Sequence, residues 1–353
     1  VSGRLKLRRG VVVAVDPLTV EIDGGRRSAW ADEALLGEMR EGDEVVVNVA
    51  ALDLELGSGG FDVVHVNLTR GLEASGDSRD HVIKLNYTSI QHPVDPVELP
   101  VRLLHAESAK GAPERGEGSM PVLVLPLHGH LAPAAWAAAQ AWPEAKVGYV
   151  QTGGGALPGS LSRDVAELRE RGLLCGHITA APAYGGEHEA ISVAGALDAA
   201  ANGLGWDAAI AGPGPGIIGS ETRLGHGGIA ALDAAHASLA LGLPTLLSPR
   251  LSSADPRERH RPVSHHTLTV LELLLGAVEI PVPGEEPVPI AILATAAGRR
   301  HHLREEAVDL AGYEAAGLPS RTMGRTIAED SLFFAAPLAA GRALAAARAG
   351  GVG

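Results

Sequence analysis

The chain has 353 residues, 46% of them apolar, and a formal net charge of −13. That is enough material for two packed domains, and the sign of the charge repels nucleic-acid backbones. A single cysteine, Cys175, excludes an internal disulfide and any multi-cysteine metal site.

The first hundred residues read as β structure. Short β-branched runs at 10–16 and 19–23 are followed, after a Gly24-Gly25 turn, by 26–31. Runs at 44–56 and 61–68 flank a second Gly-rich turn at 57–60, and 81–90 is a further strand candidate. Six short strands with little helix predict a small barrel or sandwich over 1–104. Residues 105–120 are polar and carry Gly and Pro, which reads as a linker.

From 121 to 353 the pattern changes to alternating apolar strands and Ala-rich helices. Strands are expected at 121–127, 146–151, 173–179, 207–212, 244–248 and 288–295. Helices are expected from 134 and at 163–171, 189–202, 227–241, 264–275 and 302–312. A further strand falls at 278–283, and a closing helix at 327–349. This alternation predicts an α/β domain with a doubly wound, mostly parallel, Rossmann-like sheet. With aromatics at only 3%, Ala, Val and Leu must fill its interior.

Ligands of such sheets bind beyond the carboxyl ends of the strands. The loops expected there concentrate Gly, His and Arg. In the stretch 254–267 (ADPRERHRPVSHHT), Arg257, Arg259 and Arg261 alternate with other residues, and Ser264 suits the N-cap of the following helix. Guanidinium forks and free helix N–H groups favour an anion. The competing reading is a solvated loop whose arginines pair with Asp255 and Glu258.

The segment 212–228 carries Gly214, Gly216 and Gly219, which spell G-x-G-x-x-G and suit close backbone approach to a ligand. Proline at the second position and a late helix start make this a poor dinucleotide fingerprint, so NAD(P) binding stands only as an alternative. Arg250, just past the next strand, is placed to meet a phosphate instead. The Gly-rich turn near 152–155 matches a phosphate loop in composition only.

His128, His226, His260, His265 and His266 are the candidate acid–base residues, since an imidazole titrates near neutral pH. His128 and His130 form an H-x-H pair at a strand end. With His188 they are the first candidates to hold a divalent metal, although tight turns also use His and Gly without metal. Cys175 reads as a buried, inert thiol.

The S-x-A-D-P-R-E-R-H-x-x-V-S-H-H-T stretch, with G-P-G-P-G-x-x-G and L-H-G-H upstream, resembles the bacterial family known as domain of unknown function 3866. The resemblance runs over nearly the whole chain. It implies a bacterial protein and no particular activity, so no residue role carries over from it.

The sequence therefore predicts a cavity for a small phosphorylated or carboxylated metabolite, with His acid–base chemistry if the protein is an enzyme. The alternatives are a non-catalytic ligand-sensing or assembly protein, a metal-dependent hydrolase, and an NAD(P)-binding protein. Metal or nucleotide is left open as cofactor, and a homo-oligomer as assembly. No apolar run reaches the ~20 residues that span a bilayer, and the N-terminus lacks the apolar core of a signal peptide. No nucleic-acid or membrane partner is expected, and the cytoplasm is the expected setting.

Overall fold

A computed structural model describes residues 4–55, 59–72, 82–99 and 119–347. The chain divides into two units, Val1–Pro93 and Val94–Gly353. Most of the expected linker at 105–120 lies outside the described residues.

In the first unit, β1 (Leu7–Val15), β2 (Leu18–Ile22), β3 (Gly25–Trp30), β4 (Glu44–Asn48) and β5 (Asp62–Asn67) close into a five-stranded barrel in the order β1-β2-β3-β5-β4. Pairing of β1 with β4 seals it, from Leu7 opposite Asn48 to Val11 opposite Glu44. Alternate residues such as Val45, Val47 and Val20 point inward and fill it. The expected strand 44–56 is a correction: it stops at Asn48 and gives way to the short helix α2 (Ala50–Asp53), α1 being Glu33–Leu36. Leu56, at the end of that expected strand, and residues 57–58 of the second Gly-rich turn lie outside the described residues. Residue 81 lies outside the described residues; of the described part of the candidate 81–90, only β6 (Val82–Lys84) is a strand, and β7 is His92–Val94.

The second unit holds eight parallel strands. They are β8 (Val122–Val124), β9 (Val147–Thr152), β10 (His177–Ala180), β11 (His188–Ala190), β12 (Ala208–Pro213), β13 (Thr245–Leu247), β14 (Glu279–Pro283) and β15 (His302–Glu306), in the order β11-β10-β9-β12-β8-β13-β14-β15. On β8 and at the residue after it, Val122 and Val124 enter one core while Leu123 and Leu125 enter the other. Both faces are thus buried, which is why this strand reads as a continuous apolar run. The helices α5 (Val193–Asn202), α6 (Ala230–Ala240), α7 (His265–Leu273) and α8 (Pro287–Ala297) contribute to the first core. The second core takes α3 (Leu131–Ala141), α4 (Arg163–Glu170), α9 (Leu310–Ala315) and α10 (Ser331–Ala347). On α10, Gly341 lets the helix lie directly on the backbone carbonyl of Ala134 in α3.

Two stretches of the expected pattern are shifted. Residues 288–295 form helix α8, and the start of the expected helix 302–312 is strand β15. An apolar run such as V-P-I-A-I-L-A-T-A-A fits either state. Pro287 and Pro289 at its start and Gly298 at its end favour the helix. The strand at 279–283 is therefore a full member of the sheet. The expected helix 189–202 likewise begins only at Val193, because 188–190 pairs alongside β10.

The chain enters the sheet at β8, runs outward to β11, returns through β12, and crosses β8 to reach β13. In register, Val124 lies beside Ala211 of β12 and Leu247 of β13. β8 and β13 therefore end level, and β12 between β8 and β9 runs two residues further, to Pro213, at the point where strand order reverses. That is where an open α/β sheet forms its crevice.

Candidate functional site

The loops leaving β8, β12 and β13 line one cavity of about 630 Å3 that lies wholly within the second unit. This is within the usual range for small-molecule sites. Leu127, His128 and Gly129 come from the first loop. Pro215 to Gly219, Glu221, Thr222 and His226 come from the second, and Arg250, Arg257, Arg259, His260, His265 and His266 from the third. Arg321, Thr322 and Met323 close one side. They belong to a hairpin of β16 (Arg321–Thr322) and β17 (Arg325–Thr326).

Most of the residues singled out in the sequence meet here, but five do not line the cavity. Gly214 is buried against Gln151 and the Ala156 carbonyl. It belongs to a backbone-on-backbone packing of the loop after β9 against the loop after β12, in which Gly154 also meets Gly227. Among the three glycines of the G-x-G-x-x-G spelling, then, only Gly216 and Gly219 reach the cavity. Gly216 has φ of +72°, a conformation that L side chains rarely adopt. Helix α6 starts only at Ala230, so no helix N-terminus follows directly as a dinucleotide site requires.

Arg261 is exposed and outside the lining. A 3₁₀ turn at Glu258–His260 breaks the two-residue alternation that would have placed it beside Arg257 and Arg259. Ser264 caps α7, accepting from His266 N–H at 3.2 Å, and is fully buried. His130 is also buried, with Nδ1 3.1 Å from Ser248 Oγ and its ring edge-on to Phe333. His188 begins edge strand β11, four strands from β8, or about 19 Å at the usual strand spacing. The set His128, His130 and His188 is thus not brought together.

Asp255 anchors the arginines. Its carboxylate is fully buried and accepts from Arg257 Nε and Nη2, both at 2.9 Å, and from Arg250 Nη2 at 3.2 Å. Arg325 approaches to 3.9 Å and pairs with buried Asp330 at 3.0 Å. Burial alone would raise the Asp255 pKa; the hydrogen bonds from Arg257 outweigh it and hold the carboxyl well below the usual range. Arg259 reaches the exposed Glu221 at 3.1 Å, and Glu258 takes no part in these pairs. Of the charged groups lining the cavity, four are arginines (250, 257, 259, 321) and one is a carboxylate, Glu221, with Asp255 buried behind them. The Nε atoms of Arg250 and Arg259 are buried and have no partner. Burial lowers the Arg250 guanidinium to about 10.

Four imidazoles share this space. His226 and His266 stack with centroids 3.7 Å apart and planes 6° from parallel. His265 lies 5.4 Å from His226, and His260 lies 5.0 Å from His266. His226 Nε2–H donates to the Arg223 carbonyl at 3.0 Å, which leaves Nδ1 as a buried lone pair without a partner. His266 Nδ1 lies 3.4 Å from Arg250 Nη1 and accepts from it. His260 Nδ1 and Ser264 Oγ share a hydrogen bond at 2.7 Å. Burial, reinforced by the arginines, lowers His260 to about 3, and burial with the neighbouring His226 and Arg250 lowers His266 to about 2. His226 and His265 are lowered as well, again by burial first. All four rings are therefore neutral at pH 7.

His128 forms part of the wall, but both of its nitrogens are committed. Nδ1–H donates to the Pro213 carbonyl at 3.2 Å, and Nε2 accepts from Ser162 Oγ at 2.7 Å. Ser162 in turn accepts Val165 N–H as the N-cap of α4. This ring ties three loops together and has no nitrogen left for proton transfer.

Sequence reasoning missed Arg321, Thr322 and Met323. Their one signal is the R-T-M-G-R-T hairpin pattern at 321–326, which carries no hint of its place in space. Cys175 is half-buried, and burial raises its thiol to about 11, consistent with an inert residue. Among the described residues, no helix is long and apolar enough to cross a membrane.

The family model described as "Protein of unknown function (DUF3866)" matches residues 28–341. No curated protein and no solved structure matches the chain.

Proposed function

The chain belongs to the DUF3866 family, and we propose that its cavity binds a small anionic metabolite, phosphorylated or carboxylated, at the carboxyl edge of the parallel sheet. One observation carries this reading: loops from three adjacent strands and one hairpin place arginine donors around a common space, with more guanidinium than carboxylate charge. Arg257 and Arg250 are held in place by Asp255, so their donors are ordered before a ligand arrives, which lowers the entropy cost of binding. Arg259 and Arg321 are the freer cations, with Arg321 bonded only to the Gly324 carbonyl among the described residues. His260 lines the same cavity, and an anion beside it would raise its pKa toward the working range. This is the form of acid–base chemistry the site supports if the ligand is a substrate.

Arg259→Ala is the informative variant, because the exposed ion pair it breaks contributes little to stability. A thermal-shift screen of phosphorylated and carboxylated metabolites should find a class that raises the wild-type Tm. Loss of one charge-assisted contact should weaken that ligand by about 10- to 100-fold in Arg259→Ala. A screen in which no anion shifts the wild type, or in which the variant responds equally, would overturn the reading.

A further inference from the structure

We infer that His226, His265 and His266 form a binding site for one divalent first-row transition ion, with zinc the best match to the donor set. Among the described residues this is the one group of three metal-capable side chains whose donor atoms all lie within 4.8 Å of one another. Two further observations point to a missing partner. His226 is 7% exposed, and its Nδ1 is buried with no hydrogen bond. His265 Nε2 is also buried without a partner. Unsatisfied buried nitrogens cost free energy, and a metal ion is a partner that two convergent lone pairs can share.

The local structure is built to hold these rings. His265 and His266 open helix α7, and His226 closes the loop that leads into α6. The Arg223 carbonyl takes the Nε2 proton of His226 and so fixes the tautomer in which Nδ1 can coordinate. Such an outer partner is the usual accompaniment of a ligating histidine. Gly228 lies against both rings: a Cβ there would come within 3.0 Å of His266 Nδ1 and 3.1 Å of His226 Nδ1. Any larger residue at that position would crowd the nitrogens.

A tetrahedral zinc with Zn–N near 2.0–2.1 Å holds its nitrogens about 3.3 Å apart. The three rings must therefore draw together, and the parallel stack of His226 on His266 must open as they do. Three neutral imidazoles leave the ion its full charge and a fourth position open to a further ligand. Arg250 Nη1 donates to His266 Nδ1 at 3.4 Å and must release it if that nitrogen coordinates; its charge also opposes the ion, while Asp255 and Glu221 offset it in part. The ion and the arginines would then hold one anion between them. This last point rests on the anion reading above, but the metal site does not.

The test uses the full-length chain without an affinity tag, stripped with chelator and titrated with zinc alone. One ion per chain should bind, and X-ray absorption of the wild-type zinc protein should show imidazole nitrogen ligands. His265→Ala should weaken binding by at least about 10-fold, whereas His188→Ala, at the distant sheet edge, should leave it unchanged. The absorption experiment needs no variant and so guards against a misfolded one. Absence of stoichiometric zinc, a spectrum without imidazole, or unchanged affinity in a folded His265→Ala would each overturn the proposal. None of these measurements uses an anion, so failure of the metal site is distinguishable from failure of the anion reading.

Discussion

Lowering the pH from about 7.5 to about 5 should remove several kcal/mol of stability, enough to bring the protein near its unfolding midpoint. Four rings are held far below the ordinary histidine value, chiefly by burial: His130, His177 and His260 at about 3, and His266 at about 2. In the folded chain these rings stay neutral, whereas in the unfolded chain they take up protons near pH 6.5. Below that value the unfolded state binds more protons, so stability is complete above about pH 6.5 and falls as the pH falls toward the folded values. Each ring contributes a slope of about 1.4 kcal/mol per pH unit. Over one unit the four together cost on the order of 5 kcal/mol, a large share of an ordinary domain's stability. Denaturant midpoints measured across this range should drop steadily. An anion such as sulfate should recover part of the loss, because it favours protonation of the cavity rings His260 and His266, while His130 and His177 lie outside the cavity lining. Midpoints that stay level down to about pH 5.5 would contradict the assigned burial of these rings.

Asp255→Asn should be the most damaging single substitution in the cavity wall, costing about 3–5 kcal/mol. The change keeps the shape and removes the charge. Arg250, only 6% exposed, would then lie beside Arg257 and Arg325 with no buried carboxylate of its own. Replacing Arg257 alone should cost less, since its side chain is 41% exposed and water can stand in for part of what it loses. A second change, Arg250→Met, should return part of the stability lost in Asp255→Asn, because it removes the stranded charge. The pH dependence adds a separate check. A carboxyl with a depressed pKa contributes stability that is present above its ordinary range near pH 4 and lost as the pH falls below it. Asp255→Asn should lack that acid-side component while retaining the histidine component. A loss under about 1 kcal/mol would show that the carboxylate does not organise the arginines.

The parts of this architecture legible in the sequence were those set by periodicity. Continuous apolar runs such as 121–127 marked strands buried on both faces, and parallel strands put the loops that follow them on one edge of the sheet. That is why His128, Gly216, Gly219, Arg257, Arg259, His260, His265 and His266 could be placed on one rim. Errors arose where local geometry overrode spacing. A single 3₁₀ turn sent Arg261 outward, and backbone packing against Ala156 removed Gly214 from the lining. The pairing of His128 with His130 rested on adjacency in the chain, yet their side chains serve different partners, Ser162 and Ser248. The hairpin bearing Arg321 could not be located at all, because nothing in a turn sequence encodes which distant loop it will cover. The triad of His226 with the His265-His266 pair went unseen for a related reason. It joins loops about 40 residues apart, a separation that spacing rules for metal motifs do not cover.

Crystals grown with tungstate, a heavy tetrahedral dianion, test whether the cavity's arginines hold one anion in common. A single strong anomalous peak is expected in the space bounded by Arg250, Arg257, Arg259 and Arg321. Ordered arginines around an empty cavity, with tungstate bound only elsewhere on the surface, would contradict it.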